Sequence, residues 1–242
     1  MRIVHISDWH GRQVNLPQAD LYVVTGDMLP SYCVMTWTDN DMDSDDSGLF
    51  FNKKIEVEKQ SNWVSLFARD GGFERFVADS NTPIICVRGN HDFIPIAGMF
   101  EGCNLVHEFV DNEVIEVLGK KIVGHRGIPY IYGSWNDEVP RPDLIDRFSA
   151  MLAGPICDMY VTHYPPNGIL DNPRSRYGLE SVAMKLLDRV IPSDANPYEL
   201  DQAAPTILHT FGHIHEEGGR RLQRGNVLFS NAACNINVID MW

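Results

Sequence analysis

Short apolar runs alternate with helix-like segments along this chain, and polar turns follow the first of them. Residues 2–6 and 21–25 form brief runs rich in β-branched side chains. Ser-Asp follows the first run and Gly-Asp follows the second. Runs of this length and composition predict buried β-strands. The same pattern predicts further strands at 83–87, 159–162 and 206–211.

Other segments show the spacing of amphipathic helices or the composition of hairpins. Apolar residues recur at turn-like intervals in part of 53–79, over 143–152 and over 179–190, which predicts helices there. Hairpins are predicted over 113–124 and 220–229, where a glycine-containing turn separates two strand-like runs. Mixed strands and helices of this kind predict an α/β protein with two β-sheets between helices.

Nothing in the sequence resembles a linker, so residues 1–242 are predicted to form a single domain. One stretch has a biased composition: five of the eight residues from Asp39 to Asp46 are aspartate. It fails as a calcium-binding EF-hand loop, because Asp46 stands where glycine is needed and Asn52 where a bidentate Glu is needed. A solvated surface loop is the better interpretation.

The composition is that of an ordinary globular protein, with 44% hydrophobic and 22% charged residues in a chain of 242. Twenty basic residues against 33 acidic ones give a net charge of −13. This charge argues against binding to long nucleic acid or to anionic membranes. It is compatible with phosphate binding where metal ions supply positive charge locally.

The five cysteines include no C-x-x-C pair, and they indicate a reducing compartment rather than a disulfide framework. The N-terminus lacks the apolar core of a signal peptide. No apolar run approaches the roughly 20 residues of a membrane-spanning helix. We therefore expect a cytoplasmic protein that does not associate with membranes.

Metal-capable side chains follow nearly every predicted strand. They are Asp8 and His10 after the first strand, Asp27 after the second, Asn90 after the third, His163 after the fourth, and His213 and His215 after the fifth. Open sheets place ligands beyond the carboxyl ends of their strands, so these loops are expected to converge on one crevice. The two-residue spacing of Asp8 and His10 suits an extended segment whose alternate side chains point the same way.

Seven candidate ligands are too many for one tetrahedral ion, but they suit two ions that share a carboxylate. Mixed imidazole and carboxylate donors favour zinc, iron, manganese, cobalt or nickel over calcium or magnesium. Two ions about 3.5–4 Å apart can hold phosphate oxygens and generate a hydroxide for in-line attack. The predicted chemistry is hydrolysis of a phosphate ester.

These sequence blocks resemble those of the calcineurin-like metallophosphoesterases, in the same order. The matching segments are Asp8-x-His10, Gly26-Asp27, Gly89-Asn90-His91-Asp92, His163 and Gly212-His213-x-His215, and they extend over residues 8 to 215. Each block alone is a weak signal, whereas five in order are a strong one. The resemblance implies a four-layer α/β/β/α sandwich of two mixed β-sheets flanked by helices, with a two-metal site.

The resemblance also implies a role for each residue. Asp8, His10 and His215 would hold the first ion, Asn90, His163 and His213 would hold the second, and Asp27 would bridge the two. His91 would lie beside the phosphate, where it would stabilise the transition state or protonate the leaving oxygen. Asp92 would orient His91 by accepting its other N–H. Manganese is the favoured metal.

A closer likeness is to the branch of small metallophosphoesterase-domain proteins and class III cyclic-nucleotide phosphodiesterases. It rests on residues 162–171, 211–216 and 230–233. Relative to that branch, residues 31–52 look like an acidic insertion. The resemblance implies hydrolysis of a small phosphodiester by a metal-bridging hydroxide, with a cyclic nucleotide as the leading candidate.

Two further residues are candidates for substrate contact. Arg12 could bind a phosphate through two parallel hydrogen bonds, although a structural ion pair would also explain it. Tyr164 could stack on a nucleobase or pack in the cleft wall. Three alternatives for the whole protein stay open: a phosphomonoesterase, a nuclease with the same site, or a non-catalytic scaffold that keeps the fold.

Overall fold

The computed structural model describes residues 1–33, 35–37, 49–131, 133–171 and 204–242. In chain order the strands are β1 (Arg2–Ile6), β2 (Leu21–Val24), β3 (Met35–Trp37), β4 (Leu49–Phe51), β5 (Ile84–Val87), β6 (Leu105–Phe109), β7 (Val114–Val117), β8 (Lys120–His125), β9 (Ile128–Pro129), β10 (Glu138–Val139), β11 (Met159–Thr162), β12 (Ile207–Phe211), β13 (Arg221–Arg224), β14 (Val227–Asn231) and β15 (Ile236–Asp240). The helices are α1 (Lys53–Arg69) and α2 (Arg141–Ala153), with 3₁₀ turns at Phe73–Phe76, Ile96–Phe100 and His215–Glu217.

Two large mixed sheets organise the described residues. The first has five strands in the order β15-β1-β2-β5-β6, and the second has six in the order β13-β14-β12-β11-β8-β7. Strands β1, β2, β5 and β6 run parallel, as do β8, β11, β12 and β14. Antiparallel strands lie at three of the four sheet edges: β15 in the first sheet, and β7 and β13 in the second. All inner parallel strands therefore direct their carboxyl ends to one edge of their sheet.

The first sheet is buried on both faces, as its nearly continuous apolar strands require. Alternate residues point to opposite faces. Val4 and Tyr22 pack in the cluster that includes Phe67 of α1. Ile3 and Val23 pack instead against the second sheet, in a cluster shared with the apolar side chains of β8, β11 and β12.

The second sheet carries α2 on its outer face. Leu144 and Phe148 of the helix are buried against Val123, Tyr160 and Phe211 of the sheet. The layers therefore follow the order α1, first sheet, second sheet, α2. This confirms the α/β/β/α sandwich predicted from the resemblance, and both predicted hairpins are present as β7-β8 and β13-β14.

Some sequence predictions concern residues that the structure leaves undescribed. The predicted helix at 179–190 and the acidic stretch 39–46 lie outside the described residues. Within the predicted insertion, β3 and β4 pair as an antiparallel ribbon. Among the residues that are described, no helix is both long and apolar enough to cross a bilayer.

Candidate metal centre

The predicted ligands follow the carboxyl ends of five parallel strands, three from the first sheet and two from the second. Asp8, Asp27 and Asn90 follow β1, β2 and β5, whereas His163 and His213 follow β11 and β12. Because the sheets pack face to face, their carboxyl ends meet at one end of the sandwich. The structure thus collects at one place side chains that are more than 200 residues apart in the chain.

Six of the seven predicted ligands form two groups. One group is Asp8, His10 and His215, and the other is Asp27, His163 and His213. Within each group the candidate ligand atoms lie within 4.8 Å of one another. Asn90 adds an oxygen to the second group, since its Oδ1 lies 3.0 Å from His163 Nε2 and 2.9 Å from His213 Nδ1.

The first group combines a buried carboxylate with two imidazoles. Asp8 is fully buried, and its Oδ1 lies 3.1 Å from His215 Nε2. Its other oxygen, Oδ2, accepts a hydrogen bond of 3.0 Å from the backbone N–H of His213. The His10 ring lies 5.5 Å, centroid to centroid, from that of His215 and 5.0 Å from that of His91.

In the second group, a hydrogen bond to the backbone fixes the tautomer of His163. His163 Nδ1 lies 2.6 Å from the carbonyl oxygen of Thr25, so Nδ1 carries the proton and donates it. In the neutral ring, Nε2 is then a lone-pair acceptor. It lies 3.4 Å from Asp27 Oδ2 and 3.2 Å from His213 Nδ1.

This convergence of acceptor atoms fits a bound cation. Carboxylate and amide oxygens and imidazole nitrogens face one another at about 3 Å, and all of them offer lone pairs when His163 Nε2 and His213 Nδ1 carry no proton. Ligand atoms about 2.1 Å from a common ion lie roughly 3–3.5 Å apart, which is the spacing seen here. The mixture of nitrogen and oxygen donors suits a divalent transition metal better than calcium.

The two aspartates keep their negative charge in spite of deep burial. Burial acts to raise the pKa of Asp27. The neighbouring imidazoles of His163 and His91 have a larger, opposite effect, so the pKa lies well below its usual range. Burial likewise opposes ionisation of Asp8, and its contact with His215 lowers the pKa below the ordinary value. The site therefore concentrates negative charge where positive ions would be needed.

The pKa values of His163 and His213 shift in opposite directions. Burial lowers the pKa of His163, but the Asp27 carboxylate raises it more, to about 9. For His213, burial and the nearby His163 lower the pKa to about 3. The surrounding negative charge thus favours a cation at His163, and a bound metal ion would meet the same demand while leaving Nε2 of the ring free to coordinate it.

The glycines in the motifs allow the ligand loops to touch. A Cβ built on Gly89 would lie 2.1 Å from Asp27 Oδ1, which is far inside van der Waals contact. Gly26 adopts φ = +92°, and a Cβ there would lie 2.3 Å from the backbone nitrogen of Gly89. These two loops can therefore carry only glycine at their point of closest approach.

His91 lies beside both groups, and Asp92 makes different contacts from those expected. The His91 ring contacts Trp135 at a centroid distance of 4.3 Å, and its Nδ1 has no hydrogen-bond partner among the described residues. Asp92 was predicted to accept a hydrogen bond from His91. Its two oxygens instead accept backbone N–H groups of Leu29 and Gly89, each at 2.9 Å. Each carboxylate oxygen thus has a backbone donor, and Asp92 joins two ligand loops rather than orienting the His91 ring.

Two polar residues near His91, the buried Gln60 and the half-buried Asn136, were not predicted from the sequence. Gln60 of α1 donates to the carbonyl of His91 and accepts from the N–H of Phe93. Asn136 donates its backbone N–H to Asn90 O and its side-chain amide to Asp92 O. Neither belongs to a motif, and each acts through the backbone, so no sequence signal marks them.

A cleft of about 610 Å³ opens beside the two groups. Asp27, His91, His213 and His215 line its inner end. The outer part is lined by Pro129, Tyr130, Ile131, Arg141, Tyr164, Ile214 and Glu216. The cleft is thus larger than a phosphate group and has an apolar wall with one guanidinium.

The two predicted substrate contacts fall in different places. Tyr164 lines the cleft and lies with its ring 4.9 Å from that of His213. Arg12 does not line the cleft. It lies beside Asp8 in a separate hollow of about 260 Å³, with its guanidinium 3.8 Å from Cys234 Sγ. Arg141, at the start of α2, is the arginine that lines the cleft.

Comparison with known proteins identifies the family. The sequence profile described as calcineurin-like phosphoesterase matches residues 1–217. The chain therefore belongs to the calcineurin-like phosphoesterase family, a class of metal-dependent hydrolases of phosphate esters. This confirms the family that the motifs predicted.

Individual relatives match parts of the chain. Metallophosphoesterase domain-containing protein 1 of Homo sapiens and that of Mus musculus are each 29% identical over 134 residues. The match covers 53% of this chain but only 36% of either relative. A crystal structure described as a 5′-nucleotidase from Staphylococcus aureus in complex with alpha-ketoglutarate has 12% identity and a TM-score of 0.43, covering 95% of this chain and 48% of that one.

Proposed function

We propose that this protein hydrolyses small phosphodiesters at a binuclear metal centre, with cyclic nucleotides as the leading candidates. The observation that supports this most strongly is the pair of ligand groups at the inner end of an open cleft. In this proposal Asp8, His10 and His215 hold one ion and Asn90, His163 and His213 hold the other. Asp27 contributes to both.

The bound ions would supply positive charge for the phosphate oxygens and an acidified water for attack on phosphorus, and manganese is the favoured metal. The chain's own residues would orient them. The Thr25 carbonyl fixes the His163 tautomer, and the His213 N–H holds Asp8 Oδ2. Such contacts behind the ligands restrict their rotation and adjust their basicity.

His91 is proposed as the catalytic residue that acts on the leaving group. It lines the cleft, contacts Trp135 and lies near His10 without belonging to either ligand group. From this place an imidazole can protonate the departing oxygen or stabilise the charge that develops on it. Tyr164 and the apolar wall would contact the organic part of the substrate.

The size of the cleft is compatible with a diester. A diester keeps an organic group on each side of phosphorus, and a cleft of about 610 Å³ leaves room for both, with apolar surface at Tyr130, Ile131 and Ile214. A nuclease for long nucleic acid is disfavoured by the net charge of −13. A scaffold without activity would be expected to have lost ligands, whereas all seven positions and His91 are present.

We also propose that the protein acts in a reducing compartment such as the cytoplasm. All five cysteines are free, and Cys33 is exposed to solvent. Exposed thiols persist where cellular reductants keep them reduced. This proposal is independent of the substrate.

The test is turnover of bis-p-nitrophenyl phosphate and of p-nitrophenyl phosphate with added Mn²⁺, with the Asp27→Asn protein as the control. Preference for the diester by about tenfold or more in kcat/KM would support the proposal and lead to 2′,3′- and 3′,5′-cyclic nucleotides. Preference for the monoester would make the protein a phosphatase with the same site. Equal turnover by Asp27→Asn would contradict the metal mechanism, and absence of both activity and bound metal would favour a scaffold.

A further inference from the structure

We infer that Gln60, a buried side chain of α1, is a positioning residue that sets the place of His91 over the metal centre. The inference rests on the proposed function, because it assigns Gln60 an effect on catalysis through His91. The side chain is fully buried in spite of its polar amide. Each of its polar atoms is used at the loop formed by residues 89–93, here called the His91 loop, or at the neighbouring turn.

Gln60 holds the backbone on both sides of Asp92. Its Nε2 donates to the carbonyl oxygen of His91 at 2.6 Å and to that of Pro30 at 3.2 Å. Its Oε1 accepts the N–H of Phe93 at 2.8 Å. A buried amide with all these bonds formed is held in one geometry, because breaking any of them would leave a polar group unpaired.

Most hydrogen bonds of the peptide groups in the His91 loop are made with side chains. The His91 N–H donates to Asp27 Oδ1 at 2.7 Å, so Asp27 and Gln60 hold His91 from opposite sides. Asn136 holds the flanking carbonyls of Asn90 and Asp92. A loop of this kind has no strand ladder to fix it, and its geometry depends on these bonds.

The imidazole itself has little else to fix its position. Its Nδ1 has no partner among the described residues, and the ring contacts recorded for it are with Trp135 and His10. A backbone shift in the His91 loop would therefore carry the ring with it. Misplacing a catalytic group by about 1 Å can cost up to about 100-fold in rate.

The metal ligands depend less on Gln60 than His91 does. His163, His213, Asp8 and His215 belong to other loops, and Asn90 has a separate backbone contact with Asn136. Asp27 accepts the N–H of His91 but lies on its own loop, where its carbonyl accepts the N–H of His10. Removing the Gln60 amide should therefore reduce kcat while metal content and KM stay close to those of the wild type. This combination separates a positioning role from a role in holding the fold.

The experiment is a double-mutant cycle with Gln60→Met and His91→Ala, assayed on bis-p-nitrophenyl phosphate with Mn²⁺. Gln60→Met keeps the length of the side chain and removes every hydrogen bond. We expect it to lower kcat about 10- to 100-fold with KM within about twofold. In the His91→Ala background the same change should alter kcat by less than about twofold, because residues that act through one another are not additive.

Two further variants complete the design. Gln60→Glu keeps the acceptor for Phe93 and replaces the donor by an oxygen, so it should reduce kcat as Gln60→Met does. Ser61→Ala is the matched control, because Ser61 is exposed on the same helix and its hydroxyl donates to Val57 O, away from the His91 loop. Metal content and thermal unfolding are measured for all variants. Loss of metal or of the fold in both Gln60 variants, or additive effects in the cycle, would overturn the inference.

Failure of this inference can be distinguished from failure of the proposed function. If His91→Ala loses most of its activity but Gln60→Met keeps full activity, only the role of Gln60 is wrong. If His91→Ala keeps full activity, the proposed role of His91 is wrong. A crystal structure of metal-loaded Gln60→Met gives a readout without turnover: the inference expects the His91 ring to move from Trp135, and an unchanged ring would contradict it.

Discussion

Four residues among the proposed ligands adopt a left-handed backbone conformation, which residues other than glycine rarely do. They are Asp8, His10, Asp27 and His213, with φ between +48° and +66°. A conformation of this kind costs about 1–3 kcal/mol per residue and persists only where the surroundings impose it. The backbone at these residues is therefore strained, and this strained conformation directs their side chains into the site.

Gly212→Ala tests how tightly the ligand loops pack. A Cβ there would lie 1.9 Å from Ser7 Oγ and 2.3 Å from Asp8 Oδ2, so Asp8 would have to move. We expect at least a tenfold loss in Mn²⁺ affinity, measured by titration calorimetry, with a lower melting temperature. Gly154→Ala is the control, since its nearest contact is a backbone oxygen at 3.3 Å at a helix end away from the site. Equal metal affinity in the Gly212→Ala protein would contradict the proposed ligand role of Asp8.

Sequence analysis finds the candidate ligands because their chemistry is rare and local. Asp8, His163 and the other proposed ligands directly follow strands, and short blocks mark them. The residues that hold the loops are ordinary polar types whose partners are distant in sequence. Gln60 is 31 residues from His91, and Asn136 is 44 from Asp92. Only the folded chain shows which of its many polar side chains are buried.

At the scale of elements, the buried face of α1 is polar in the first half of the helix and apolar in the second half. Its first half buries Glu56 and Gln60, and its second half buries Phe67. The polar half packs on the loops at the carboxyl ends of the strands, where Tyr32 donates its N–H to Glu56. The apolar half packs on the first sheet. Helical periodicity predicts the element but not this division, which depends on what the helix covers.

The position of α2 leads to a prediction about substrate binding. The helix begins at Arg141, which lines the cleft, whereas Arg147 is exposed on the same helix outside it. Arg141→Gln should raise KM for bis-p-nitrophenyl phosphate about two- to fivefold, since an exposed ionic contact contributes up to about 1 kcal/mol. Values of kcat and metal content should not change. Steady-state kinetics of Arg141→Gln and of Arg147→Gln provide the comparison, and equal KM values would remove Arg141 from the substrate site.

For the whole molecule, the layer order follows from the alternation of apolar residues. Strands that are apolar at every position must be covered on both faces, which requires a second sheet on one side and helices on the other. The edge strand β6 was not predicted, because its LVHEF sequence mixes exposed, half-buried and buried positions. The way in which the two sheets pack against each other brings both ligand groups together. This packing depends on contacts between residues that are distant in sequence, so the pattern of apolar residues does not predict it.

The interior also contains histidines that lie outside the two groups of candidate metal ligands. His5 lies between Ser230 and Thr25, and His209 bonds to Thr162. Burial lowers the pKa of each to about 3. Neither belongs to a group of candidate metal ligands among the described residues. Together they make the stability of the sandwich depend on pH, because each must stay neutral to stay buried.

His125 allows this dependence to be measured at one residue. It is fully buried against Phe148, and neither ring nitrogen has a hydrogen-bond partner among the described residues. Burial lowers its pKa to about 4, while Asp111 acts to raise it and Arg147 to lower it. Since the unfolded chain binds the proton first as pH falls, this histidine should destabilise the fold progressively from about pH 6.5 down to pH 4.

His125→Leu removes the titrating group and keeps the site apolar. Relative to the variant, the wild type should lose about 3 kcal/mol in its free energy of unfolding between pH 7 and pH 4, because each unit of pKa shift corresponds to about 1.4 kcal/mol. Urea unfolding of both proteins in EDTA measures the difference, and titrating groups that do not interact with His125 contribute equally to the two curves. A constant difference across this range would mean that His125 is hydrated or paired in solution, and the tightly packed interface between α2 and the second sheet would then have to be revised.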